Sequence, residues 1–169
     1  MIRARMLEPK HQAFLSELQR RGHAEHEGLT QCFQLLSLSR AIDQDCAHRL
    51  APLGLSEGRF VLLFLLQGAE QPLSPHQLAE RAGVTRATIT GLLDGLARDA
   101  LLERHPDPDD RRRVNVRLTA AGEALAVQLF DQHTQWIGGL FADLSDQERS
   151  LLSGMLCRIW ARTDAGKIA

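Results

Sequence analysis

Apolar residues recur at helical spacing over most of the chain and alternate strictly over one short stretch, which predicts a mainly α protein with a small β element. Leu35, Leu38, Ile42, Cys46 and Leu50 follow a helical stripe after a Thr30 cap. The pattern breaks at 52–55, and Ser56 then caps a helix running to Leu66. Ser74, Pro75 and Gln77 read as a capping box with proline in the first turn, and Leu73 and Leu78 as its hydrophobic staple. Leu78, Ala79 and Ala82 face inward, and Gly83 ends the segment. Thr85 caps a second helix with Ile89, Leu92, Leu93 and Leu96 as its buried stripe, and Val84 and Ile89 repeat the staple. A strand over 101–104, a polar turn over 105–109 and a return strand in which Val114, Val116 and Leu118 alternate with Asn115 and Arg117 complete a winged helix-turn-helix.

The flanks are helical. Thr119 opens a long helix carrying Leu125, Leu129, Phe130, Trp136, Ile137, Leu140, Phe141 and Leu144, and Ser145 with Glu148 forms a further capping box. The last helix offers Leu151, Leu152, Met155, Leu156, Ile159 and Trp160, more apolar surface than one terminal helix buries against so small a domain. A second copy of the chain is the expected cover. The division expected is an N-terminal extension over 1–28, a helical dimerisation region over 29–55 and 120–165, and the winged helix-turn-helix over 56–119. Phe14, Leu15 and Leu18 place a short amphipathic helix in the extension.

Double-stranded DNA is the partner these elements suit. The second helix of the pair exposes Thr85, Arg86, Thr88 and Thr90, small hydroxyls and one arginine that fit a major groove about 12 Å wide. Arg86 is placed to bind guanine, and the threonines to reach phosphates or thymine methyls. Arg111, Arg112 and Arg113 sit at the mouth of the return strand, where guanidinium groups reach phosphates or a minor groove.

With Asp110, Arg112, Val116, Leu118 and Thr119 in the spacing Asp-x-Arg-x-x-x-Val-x-Leu-Thr directly after the helix pair, the chain resembles the MarR family of winged helix-turn-helix transcription regulators over about residues 29 to 165. The resemblance implies that Arg112 enters the minor groove, that Asp110 holds it by an ion pair, and that Arg111 and Arg113 serve phosphates. It also implies a homodimer on an inverted repeat, with half-sites roughly 34 to 36 Å apart or a multiple of that. Such regulators usually repress and are released by a small molecule or an oxidant. Where the family usually has glycine after the recognition helix this chain has Ala100, so either Asp99 takes the left-handed conformation or the turn differs.

Net charge of −1 changes the picture little, but its distribution matters. Residues 75–119 hold 8 basic against 7 acidic residues, so arginine placement must count for more than bulk attraction. No hydrophobic run approaches the ~20 residues of a membrane helix, and 60–66 reads as a buried helix. Three cysteines without framework spacing point to a reducing cytoplasm. There is no phosphate loop, no His-Glu-x-x-His and no assignable catalytic triad, so neither an enzyme nor a cofactor is expected.

Three effector chemistries arise. By resemblance, Arg40, Arg59, Phe60 and Phe64 fall where the family's ligand cleft lies, and two arginines beside aromatics suit an aromatic carboxylate. The same residues also read as core phenylalanines and surface ion pairs. Cys32, two residues after Thr30, sits where a helix N-terminus favours a thiolate, whereas Cys46 and Cys157 read as core. His23, His26, Cys32 and His133 include metal-ligand types but lack a second tight pair, so no metal site is assigned.

Overall fold

The computed structural model describes residues 6–23, 27–106 and 114–168. Internal packing divides the chain into two compact units, Met1–Val61 and Leu62–Ala169.

The first unit holds α1 (Pro9–Arg20), α2 (Glu27–Leu50), a 3-10 turn over Ala51–Leu53 and the start of α3 (Glu57–Gln67). Pro9 pre-sets the first turn of α1, as its fixed φ allows at a helix start. His11 anchors this helix to α2: its ring stacks on Phe33 with centroids 4.4 Å apart, and its Nδ1 lies 3.2 Å from the Ser37 hydroxyl. Both polar groups are buried and satisfy each other, which removes the penalty of an unpaired polar atom. Phe14 adds an edge contact with Phe33 at 5.6 Å, and Arg40 Nη1 donates to Glu8 Oε2 at 3.0 Å. The extension thus forms the expected helix, but its buried anchor is His11, while Phe14 is 52% exposed.

Helix α2 begins at Glu27, so Thr30 lies inside its first turns rather than capping it. Ser56 does cap α3, accepting from the Arg59 amide at 3.4 Å. Gly54 at φ 66 closes the 3-10 turn before it, a left-handed position that suits glycine.

The second unit holds the rest of α3, then α4 (Pro75–Ala82), α5 (Arg86–Arg98), β1 (Leu102–Pro106), β2 (Val114–Leu118), α6 (Ala120–Gly139), α7 (Asp146–Trp160) and α8 (Asp164–Ile168). Its core joins Leu62, Leu63 and Leu66 to Leu73, Leu78, Ile89, Leu93, Leu96, Leu102, Val116 and Leu129. The strands pair antiparallel, from Leu102 opposite Leu118 to Pro106 opposite Val114. Strand β1 runs two residues further than its apolar pattern predicts, because the ladder carries His105 and Pro106 along. Val116 N–H also donates to Leu73 O at 2.9 Å, so the residue just before the α4 cap adds a bridge to the hairpin.

Helix α6 ends at Gly139 with turns over 140–143, so Leu140, Phe141 and Leu144 lie beyond the helix expected to contain them. The adjacent glycines 138 and 139 favour an end there. The Ser145–Glu148 capping box is present in α7. Among the described residues no single helix is long and apolar enough to cross a membrane.

Candidate nucleic-acid interface

Helices α4 and α5 form the expected pair, each start and stop fixed locally. Ser74 Oγ accepts from the Gln77 amide while the Gln77 side chain accepts from the Ser74 amide, and Gly83 at φ 66 ends α4. Thr85 Oγ1 accepts from the Thr88 amide and opens α5. Val84 is 39% exposed, while Ile89 is buried with Leu93 and Leu96.

Burial of that stripe turns the opposite face of α5 outward. Thr85, Arg86, Thr88 and Thr90 are all exposed. The Thr85 and Thr88 hydroxyls lie 2.9 Å apart, and Thr90 Oγ1 donates back to the Arg86 carbonyl at 3.0 Å. These hydroxyls are held against the helix, leaving the Arg86 guanidinium as the long reach of the face. Its Nη2 lies 3.5 Å from both ring nitrogens of His76 on α4.

The wing is tied to this helix at three places. Arg104 on β1 donates to Asp94 on α5 at 2.5 Å. The turn after α5 is a Schellman motif in which Ala100 N–H donates to Ala97 O and Leu101 N–H to Leu96 O, both at 3.0 Å. Ala100 itself occupies the left-handed region at φ 55, and Asp99 at φ −85 does not. Of the two expectations for this turn neither holds, because the alanine accepts the strain and the motif stays regular. Finally Thr119 N–H donates to Leu101 O at 3.1 Å and its hydroxyl to Ala100 O at 2.8 Å, while capping α6 through the Gly122 amide. Gly122 packs so close that any Cβ there would collide with the Leu101 carbonyl.

Asp110, Arg111, Arg112 and Arg113, expected at the wing tip, lie outside the described residues. Strand β2 starts immediately after them. Val114 is 42% exposed, so only Val116 and Leu118 hold the inward face of the strand.

Arg40 pairs with Glu8, Arg59 Nη1 donates to Gly54 O at 2.8 Å, Phe60 is buried and Phe64 half-buried. Cys32 is exposed but lies in the second turn of α2, away from the free amides that would favour a thiolate. Burial, with Glu57 and Asp43 nearby, pushes the Cys46 thiol up, which suits a half-buried packing residue. Cys157 is exposed in the single chain rather than core. His133 is buried against Trp136, with ring centroids 5.1 Å apart; His26 lies outside the described residues. Among the described residues no group of three or more His, Cys, Asp or Glu is placed to hold a metal ion.

Sequence reasoning missed His76, Asp94 and Arg104. The signal was present as opposite or complementary side chains ten residues apart across each turn, but it becomes visible only once the elements are placed against each other.

Comparison with known proteins gives concordant results. A model of the MarR family matches residues 53–113. The HTH-type transcriptional repressor YetL of Bacillus subtilis (strain 168) is 34% identical over 160 residues, covering 94% of this chain and 96% of that protein. The crystal structure of MarR superposes with a TM-score of 0.61 at 28% identity, covering 74% of this chain and 85% of that one. The S. aureus MepR–DNA complex superposes with a TM-score of 0.69 at 22% identity, covering 78% and 97%, a likeness of fold.

Proposed function

The chain belongs to the MarR family of transcription regulators, which bind DNA and are not enzymes, and from that premise we propose a cytoplasmic homodimeric repressor of an inverted-repeat operator, released by a small-molecule effector. The observation that carries the reading is the outward face of α5. Thr85, Arg86, Thr88 and Thr90 are exposed while Ile89, Leu93 and Leu96 are buried, so the helix presents one arginine and small hydroxyls to a major groove.

Support for the homodimer comes from the C-terminal helices. Helix α7 has no buried residue, and Leu151, Ile159 and Trp160 are 59%, 51% and 57% exposed. Phe130 and Ile137 on α6 are exposed as well. Apolar area of this kind calls for a cover, and a second copy supplies it symmetrically. Two copies set two α5 helices into successive major grooves. In this reading residues 56–119 bind DNA and residues 29–55 and 120–165 join the protomers. An aromatic carboxylate is the first effector class to test, because arginines such as Arg40 and Arg59 suit its carboxylate and phenylalanines such as Phe60 and Phe64 its ring.

Sheared DNA from the source genome, passed over purified protein near physiological salt and sequenced after retention, tests the proposal. Enrichment of a few inverted repeats near promoters is the expected result. Retention without sequence preference would instead describe an architectural DNA-binding protein. On an enriched site, Arg86→Ala should cost ~1 to 3 kcal/mol and relax preference at one base pair. Arg112→Ala should weaken binding most where the minor groove is narrow and A·T-rich.

A further inference from the structure

Arg86 opens the recognition helix, yet its guanidinium does not project alone. Nη2 lies 3.5 Å from both Nδ1 and Nε2 of His76, so the guanidinium can donate to whichever ring nitrogen is the acceptor. His76 occupies the second position of α4, a helix start held by Pro75 and by the Ser74–Gln77 capping box, and is therefore mounted on a fixed element. One turn along α4, Glu80 Oε1 lies 3.6 Å from His76 Nε2. The three side chains form a chain from the first helix of the pair to the second: carboxylate, imidazole, guanidinium.

An exposed arginine samples many rotamers, and bidentate reading of a guanine edge uses one direction of approach. A partner that restricts the guanidinium before DNA arrives reduces the ordering needed on binding. We propose that His76 is a positioning residue for Arg86: the imidazole directs the guanidinium toward the base edge, and Glu80 orients the imidazole. The inference rests on the reading of Arg86 as the base-reading arginine.

The test uses the full-length protein, its enriched operator, single-base variants of that operator and mixed-sequence DNA. His76→Ala should reduce discrimination at the base pair read by Arg86 by roughly three- to tenfold, a part of what loss of the arginine removes. Affinity for mixed-sequence DNA should fall by less than affinity for the operator, and the thermal midpoint should not move, since the His76 side chain is 54% exposed. His76→Gln, which keeps an acceptor at the same position, should restore most of the discrimination, and His76→Ala should add nothing in an Arg86→Ala background. If Arg86→Ala relaxes the base preference and His76→Ala does not, the positioning role is wrong and the arginine's reading role stands. If Arg86→Ala itself leaves the preference intact, both fall. An equal loss on operator and mixed-sequence DNA for His76→Ala would make His76 a backbone contact and overturn the proposal.

Discussion

Replacing Ala100 by glycine should stabilise the protein, although the same exchange inside a helix would weaken it. Ala100 sits at φ 55, where the Cβ of an L-residue crowds its own carbonyl at a cost of about 1 to 2 kcal/mol. Glycine removes that cost but adds freedom to the unfolded chain worth about 0.4 to 1 kcal/mol. The difference is a net gain near 1 kcal/mol, or about 2 to 4 °C in thermal midpoint for a chain of this size. Both bonds of the Schellman motif, Ala100 N–H to Ala97 O and Leu101 N–H to Leu96 O, are backbone bonds and survive the exchange. The chain contains its own control. Helix α4 ends in the same motif with glycine in the left-handed place, where Gly83 N–H donates to Glu80 O and Val84 N–H to Ala79 O. Gly83→Ala should therefore lose about what Ala100→Gly recovers.

Urea and thermal unfolding at one fixed protomer concentration measure both, since association shifts apparent stability. Asp99→Gly serves as a second control. At φ −85 that residue is in ordinary right-handed territory, so glycine there should only destabilise. Loss of stability in Ala100→Gly, or a gain in Asp99→Gly, would refute the assignment of strain to Ala100.

Gly122→Ala is expected to cost at least 2 kcal/mol by urea unfolding, because its methyl would meet the Leu101 carbonyl, a backbone group that moves only with the wing; a change within experimental error would show that α6 shifts freely. The Glu148 carboxyl is held below its ordinary value of 4.5 because the Ser145 hydroxyl and then its amide donate to it. A depressed carboxylate contributes stability above its unfolded value and loses it as pH falls through the folded one, so the gap between wild type and Ser145→Ala should narrow below pH 4.5 in acid unfolding curves. Asp94→Asn should free Arg104 from its 2.5 Å ion pair and steepen the dependence of operator affinity on salt by up to about one unit, measured by titration at several ionic strengths, whereas Arg104→Ala should leave the slope unchanged.

What the sequence made legible is what depends on neighbours along the chain. The caps at Ser74, Thr85, Thr119 and Ser145, the glycine stop at Gly83 and the stripe of Ile89, Leu93 and Leu96 are each set by side chains three or four positions apart, and all are observed. The misreadings come from competition that such signals do not register. Thr30 has the residue type of a cap, but the helix begins at Glu27 and absorbs it. His11 is polar and was not counted as core, although Phe33 and Ser37 of another helix give it both a stacking face and a hydrogen-bond partner. Ala100 shows tertiary demand overriding backbone preference, since β1 must reverse immediately after α5 whatever residue occupies the turn. Part of the candidate site was equally visible: the outward threonines and Arg86 followed from the period of the helix, but the partners of the cations did not.

In the proposed regulator, those partners account for how the segment assigned to DNA manages with so little net charge. Residues 75–119 carry nearly as many carboxylates as cations, which in a purely electrostatic binder would waste attraction. Here three of the described carboxylates, Glu80, Asp94 and Glu103, have places beside cationic or protonatable groups. Asp94 engages Arg104 and joins the wing to α5, Glu80 lies beside His76, and Glu103 lies 2.7 Å from His105 along β1. Exposed pairs of this kind contribute less than about 1 kcal/mol each to folding, too little to account for their number by stability alone. Their effect is directional. In the proposed reading a paired arginine such as Arg104 is withdrawn from phosphate attraction and serves as a strut, which would leave base reading to the few cations aimed outward. Fewer sequence-independent contacts lower affinity for random DNA more than for a matched site, so a near-neutral interface raises the ratio between the two, and that ratio governs occupancy of one operator among competing sites.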